Sequence, residues 1–173
     1  LLIIIENDLQ GALMVPTEVL AEQHYKNFQK YLDPLLVRVE LLTGNTPQKK
    51  RREILTNLLN GSVDILIGTH ALFEDKVIFN SLGMVVIDEQ HRFGVNQRNR
   101  LLKKGENTHL LSMTATPIPR TLALSLYGDL DISHITELPP GRVPISTNIV
   151  DEKDLDKLFK LVEKQIEIGK QAY

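Results

Sequence analysis

The 173-residue chain contains no cysteine, which excludes a disulfide framework and a zinc–thiolate centre and fits a reducing compartment. It also lacks a long hydrophobic run. The opening Leu1-Leu2-Ile3-Ile4-Ile5 is too short to span a membrane, and it has neither the basic start nor the cleavage site of a secretory signal. Charge of one sign is not in excess: a net charge of −2 gives no general attraction to nucleic acid, so binding of that kind has to come from local basic clusters. The absence with the largest consequence is a motif. G-x-x-x-x-G-K-[ST], the loop whose amides wrap nucleotide phosphates, occurs nowhere. No internal repeat or low-complexity segment is evident. The chain opens inside an apolar run without Met and closes on Gln171-Ala172-Tyr173, as expected of a piece cut from something longer.

With 42% hydrophobic residues, the chain can bury a substantial core. Short β-rich runs at 12–15, 36–43, 63–68, 84–88 and 109–114 alternate with helical patterns, which implies a parallel sheet. Residues 1–9 read as the end of a helix, with Gly11 as punctuation before the first strand. Pro16 stops that strand, and Thr17 caps a helix to about Tyr31 in which Leu20, His24 and Phe28 recur every fourth residue. Gly44-Asn45 turns the chain. Thr46 and Pro47 then start a helix whose apolar face is Ile54, Leu55, Leu58 and Leu59, ended by Gly61. A helix is expected over 119–128 and a last strand over 132–136. Pro139-Pro140-Gly141 and Pro144 then form a stiff linker, followed by a strand over 145–150 and a helix from Asp151 with an apolar stripe at Leu155, Leu158, Phe159, Val162 and Ile166. A second domain is expected to begin there.

The chemistry concentrates in Asp88-Glu89-Gln90-His91, which follows the apolar run Met84-Val85-Val86-Ile87. Two adjacent carboxylates should therefore emerge at the C-terminal end of a buried strand, where ligands bind in open α/β sheets. Adjacent acids suit a Mg²⁺-nucleotide site, one holding the metal and the other orienting or deprotonating the attacking water. Acidic residues also end strands simply as solvated turn formers. Thr114-Ala115-Thr116-Pro117 closes another expected strand and brings two hydroxyls to the same sheet edge, within reach of His91 or a carboxylate, unless they only cap the helix that follows.

Several segments in one order carry a family resemblance: Val15-Pro16-Thr17-Glu18-Val19-Leu20-Ala21-Glu22-Gln23-His24, Thr43-Gly44-Asn45, Gly68-Thr69-His70-Ala71-Leu72, Asp88-Glu89-Gln90-His91-Arg92-Phe93-Gly94-Val95, Thr114-Ala115-Thr116-Pro117-Ile118-Pro119-Arg120-Thr121 and Glu137-Leu138-Pro139-Pro140-Gly141-Arg142. Together they resemble the DNA helicases and translocases built from paired RecA-like domains, most closely the RecG family of branch-migration helicases. The resemblance implies an α/β fold: a RecA-like (P-loop NTPase) parallel sheet flanked by helices, incomplete at its N-terminus, plus the start of a second such domain. Residues 1–138 would be the remainder of the first, 139–144 a linker and 145–173 the start of the second.

The same resemblance implies ATP and Mg²⁺ as cofactors, with Asp88 binding Mg²⁺ through water and Glu89 activating the hydrolytic water. His91 would sense the nucleotide state and pass it to Thr114 and Thr116, in a coupling stretch that includes Arg120. Pro16, Thr17, Thr43, Gly44, Asn45, Thr69 and His70 would lie along the DNA track, touching backbone rather than reading bases. Thr17 and Thr43-Gly44-Asn45 serve equally well as a cap and a turn. The implied partner is branched duplex DNA, at stalled forks and Holliday junctions, with no membrane, a monomeric state and a bacterial cytoplasmic location. A transcription-repair coupling translocase is the alternative within the class, disfavoured by Gln90 and residues 137–142. A non-catalytic nucleic-acid-binding module with a degenerate NTPase fold is the alternative outside it.

Lys49-Lys50-Arg51-Arg52 reads as a solvated helix face opposite the apolar one, while Arg92, Arg98, Arg100, Lys103 and Lys104 could sit over phosphate or pin a loop. In the family pattern the phosphate loop precedes the position of Leu1 and the partner arginines follow that of Tyr173, so the chain by itself is expected to hydrolyse no ATP.

Overall fold

The computed structural model describes residues 1–116, 131–137, 139, 141, 142, 145, 147 and 149–172. The strands are β1 (Gln10–Met14), β2 (Val39–Leu42), β3 (Ile65–Gly68), β4 (Leu82–Ile87) and β5 (His109–Ser112). They form one sheet in the order β2-β3-β1-β4-β5, and every pairing is parallel. Successive side chains point to opposite faces, so each inner strand feeds two cores. Ala12, Met14, Leu66, Val85 and Ile87 face one; Leu13, Val15, Ile65, Ile67 and Val86 face the other. Burial on both faces is why these strands read as continuous apolar runs rather than alternating ones.

Helix α1 spans Leu2–Ile5, α2 Glu18–Leu32, α3 Gln48–Leu59 and α4 Val95–Leu102. α2 starts where expected: the Thr17 hydroxyl accepts from the Leu20 amide at 3.3 Å. It covers the second face with buried Ala21 and partly buried Leu20, Tyr25 and Phe28. α3 covers the first face with Ile54 and Leu58, both wholly buried, each contributing about 1.5–3 kcal/mol of hydrophobic stabilisation. Its chain end reverses at Gly61, φ +76°.

Some local expectations give way. Gly11 is no punctuation but part of β1, where a Cβ would stand 2.6 Å from the Leu1 side chain; the missing side chain admits that close approach. Thr46 does not cap α3. Its hydroxyl accepts from the Thr43 amide at 2.9 Å, closing the turn instead, and Pro47 occupies the cap position. The second strand is shorter than 36–43, because the 3-10 turn Asp33–Leu35 and a left-handed Leu36 (φ 59°) precede it. Residues 132–136 are in no regular element. The described residues of 145–150 are likewise in no regular element, and the helix expected over 119–128 lies outside the described residues.

The chain divides into two compact units, Leu1–Leu126 and Tyr127–Tyr173. The second contains the 3-10 turn Glu152–Asp154 and helix α5 (Leu155–Glu167), which ends before Gly169 at φ +82°. No helix among the described residues is long and apolar enough to cross a membrane.

Candidate nucleotide site and nucleic-acid edge

Strand register determines which residues meet. Leu42, Gly68, Met14, Ile87 and Ser112 lie level across the sheet. The residues that follow them, Thr43, Thr69, Val15, Asp88 and Met113, therefore leave the same C-terminal edge, the edge at which open α/β sheets bind ligands. Gly68 holds that edge closed between β2 and the 3-10 turn His70–Phe73: a Cβ there would lie 2.1 Å from the Leu72 side chain and 2.2 Å from the Leu42 carbonyl oxygen.

Asp88 is half-buried, and both carboxylate oxygens are engaged. Oδ1 accepts from the Glu89 amide at 2.9 Å, and Oδ2 accepts from His24 Nε2 of α2 at 3.0 Å. Glu89 adopts the left-handed conformation (φ 51°, ψ 48°), costly for a residue with a Cβ and found most often at functional sites. This reversal starts the 3-10 turn Gln90–Arg92, with the Arg92 amide donating to the Glu89 carbonyl at 2.9 Å. Glu89 Oε2 lies 3.4 Å from His91 Nδ1, and both side chains stay partly exposed. Gln90 points the other way. It is buried, its amide donates to the Met113 carbonyl at 3.1 Å, and this ties the acidic loop to the end of β5.

The two threonines reach this neighbourhood but bond to each other. Thr114 Oγ1 and Thr116 Oγ1 are 2.8 Å apart, and the Thr116 amide donates to Thr114 Oγ1 at 3.2 Å. The pairing with His91 or a carboxylate anticipated from sequence is replaced by this local turn, because a hydroxyl two residues away is the nearer partner. Arg120 lies outside the described residues.

The seven track positions fall on loops of the same edge. Pro16 and Thr17 lead into α2, and Glu18 accepts from both the backbone and side-chain amides of Asn45, drawing the Thr43-Gly44-Asn45 turn against that helix. Thr43 and Thr69 are buried, whereas Gly44, Asn45 and His70 are exposed. His70 and Phe73 pack with Phe93, joining this loop to the one that carries Asp88.

The basic clusters divide differently from expectation. Lys49 and Arg52 are exposed, but the Arg51 side chain is only 13% exposed, donates to the Thr43 carbonyl at 3.2 Å and pairs with Glu74. Arg51 is thus a latch between two loops, not part of a solvated face. Lys50 bonds Glu40 at 3.0 Å, and that contact raises its pKa. In the second cluster Arg100 meets Asp75 at 3.0 Å, and Lys104 donates to the Glu74 and Val77 carbonyls, both at 2.8 Å. Burial lowers the Lys104 pKa, with Asp75 opposing. Lys104 pins the loop, whereas Arg100 stays 58% exposed in a surface pair with Asp75. Sequence reasoning missed His24 and Arg51 as site-building residues. For His24 the available signal was a polar side chain on the inward face Thr17, Ala21, His24, Phe28 of an amphipathic helix.

Among the described residues no group of three or more His, Asp or Glu side chains could cage a metal. One half-exposed carboxylate with both oxygens already hydrogen-bonded fits a Mg²⁺ ion held through water and substrate phosphates, the usual manner for this ion.

Residues 1–124 match the DEAD/DEAH box helicase family, and the chain belongs to that family. Its sheet is a RecA-like fold, as expected from the motifs. Among curated relatives, the ATP-dependent DNA helicase RecG of Synechocystis sp. is 54% identical over 169 residues, covering 98% of this chain and 20% of that protein. RecG of Bacillus subtilis is 51% identical over 164 residues, covering 95% of this chain and 24% of the relative. A solved structure of RecG bound to a three-way DNA junction superposes with a TM-score of 0.79 at 42% identity, over 93% of this chain and 21% of that one. The RecG resemblance read from the motifs therefore extends over nearly the whole chain, which spans only about a fifth to a quarter of these relatives' length.

Proposed function

We propose that this chain is part of the ATP-driven motor of a RecG-type DNA helicase that remodels branched duplex DNA, at stalled forks and Holliday junctions, in repair and recombination in the bacterial cytoplasm. One observation carries the reading. An acidic pair with a strained glutamate stands on the sheet edge that also presents the hydroxyl- and amide-bearing loops at Pro16-Thr17, Thr43 to Asn45 and Thr69-His70. Residues 1–138 are read as the remainder of the first RecA-like domain, 139–144 as a linker and 145–173 as the start of the second; the division between compact units falls ahead of that linker.

When bound, Mg²⁺ would neutralise charge on the transferring phosphoryl group. Asp88 would hold the ion's water shell with its outward lone pairs, its Oδ1 held by the Glu89 amide. Glu89 would take the proton of the attacking water, and His91, 3.4 Å away, would respond to its charge. Thr114 and Thr116, joined through Gln90 and Met113 to the same loop, would relay the change to the DNA track. Alanine at both threonines should leave ATP hydrolysis largely intact and remove unwinding; equal loss of both activities and of nucleotide binding would make the pair structural.

The reading is tested by ATP-dependent unwinding of a three-way DNA junction by the full-length protein that carries this chain. Unwinding that requires both ATP and Glu89 is expected. Junction binding indifferent to nucleotide would instead indicate a non-catalytic binding module.

A further inference from the structure

The reaction just described uses Asp88 and Glu89, but it leaves unexplained a half-buried histidine from a different element that touches Asp88 directly. His24 lies in the second turn of α2, 64 residues away in sequence, with Nε2 at 3.0 Å from Asp88 Oδ2. Its ring is braced edge-on by Phe28, centroids 6.5 Å apart at 77°. The other Asp88 oxygen is held by the Glu89 amide at 2.9 Å. A carboxylate gripped at both oxygens, from two different elements, has its plane fixed. Remove either grip and it rotates about its side-chain bonds.

The helix that supplies this grip is anchored at its other end to the proposed DNA track. Thr17 caps it, and Glu18 in its first turn holds both amide groups of Asn45. Six residues separate Glu18 from His24, which at helical rise is about 9 Å. One rigid two-turn segment thus contacts the Thr43 to Asn45 loop and the metal-binding carboxylate.

We propose that His24 is a positioning residue for the motor reaction: from α2 it sets the orientation in which Asp88 meets the water shell of Mg²⁺. Its action runs through Asp88. Partners of this outer kind orient metal-binding groups, and their removal typically weakens metal affinity about 10–100-fold. The inference rests on the proposed ATP site, so the test separates the two.

The measurement, on the full-length protein, is the Mg²⁺ concentration that half-maximally enhances binding of a non-hydrolysable ATP analogue, and in parallel that for half-maximal DNA-stimulated ATP hydrolysis, for the parent, His24→Ala, His24→Gln and Asp88→Asn. His24→Ala should raise that concentration about 10–100-fold while the rate at saturating Mg²⁺ and the melting temperature stay near parental values. His24→Gln, whose amide N–H can reach the same oxygen, should recover most of the shift. A parental Mg²⁺ dependence in His24→Ala, alongside a shifted one in Asp88→Asn, would overturn the role of His24 and leave the ATP site standing. Equal impairment of His24→Ala and His24→Gln with a lowered melting temperature would make His24 structural, and so also overturn it. An Asp88→Asn protein with unaltered Mg²⁺ dependence would bring down the ATP site itself, and the inference with it.

Discussion

The two halves of the sheet's C-terminal edge are built on different terms. Beyond β2 and β3 the polar groups are largely spent on one another: Thr43 bonds Thr46, Arg51 bonds Thr43 and Glu74, and Glu18 bonds Asn45. Beyond β4, Glu89 is held in a left-handed turn with its carboxylate partly exposed and, among the described residues, paired only with His91 at 3.4 Å. One half is a braced platform with exposed tips at Gly44, Asn45 and His70; the other keeps acidic capacity in reserve for a ligand. The proposed translocase would need both, because backbone contacts demand fixed loops, whereas proton transfer demands an acceptor not already committed.

The largest effect should come from removing the reserved acceptor. In the full-length protein, Glu89→Gln should lower single-turnover ATP hydrolysis about 10²–10⁴-fold, since the amide keeps the shape but cannot take a proton. A near-parental rate would erase the contrast between the two halves. On the braced half, the strongest perturbation is Gly68→Ala. Its Cβ would lie 2.2 Å from a backbone carbonyl that cannot swing away, so a loss of about 1–3 kcal/mol or more is expected in denaturant titration.

Smaller still is Arg51→Ala. It strips a charged donor from the Thr43 carbonyl, but Glu74 is 47% exposed and water partly replaces that pair, so about 1–2 kcal/mol is expected. DNA affinity should fall with it while ATP affinity holds. The neighbouring exposed Arg52→Ala should change stability by no more than about 0.5 kcal/mol. Equal losses for the two arginines would return Arg51 to the solvated face that the sequence suggested.

What could be read in advance follows the same division. β3 and β4 were legible because burial on both faces leaves a continuous apolar signature, and Asp88-Glu89 was legible because polarity changes abruptly at a strand end. Gly11 misled because glycine ordinarily interrupts a strand, and only the packing of Leu1 against it explains its place in β1. The pairings of Arg51 with Glu74 and of His24 with Asp88 were illegible because the partners lie 23 and 64 residues away, and no local pattern encodes a pairing at that distance. Residues 132–136 carry strand-like composition, yet a strand exists only with a ladder partner, which composition does not specify.

The most direct test of the acidic edge as an ATP site compares nucleotide affinity with and without Mg²⁺ for Asp88→Asn and Glu89→Gln in the full-length protein. Glu89→Gln should bind ATP as tightly as the parent and keep the full Mg²⁺ enhancement, whereas Asp88→Asn should lose that enhancement and bind equally with or without the metal. Indistinguishable affinities for the two variants, each retaining the parental response to Mg²⁺, would contradict the assignment.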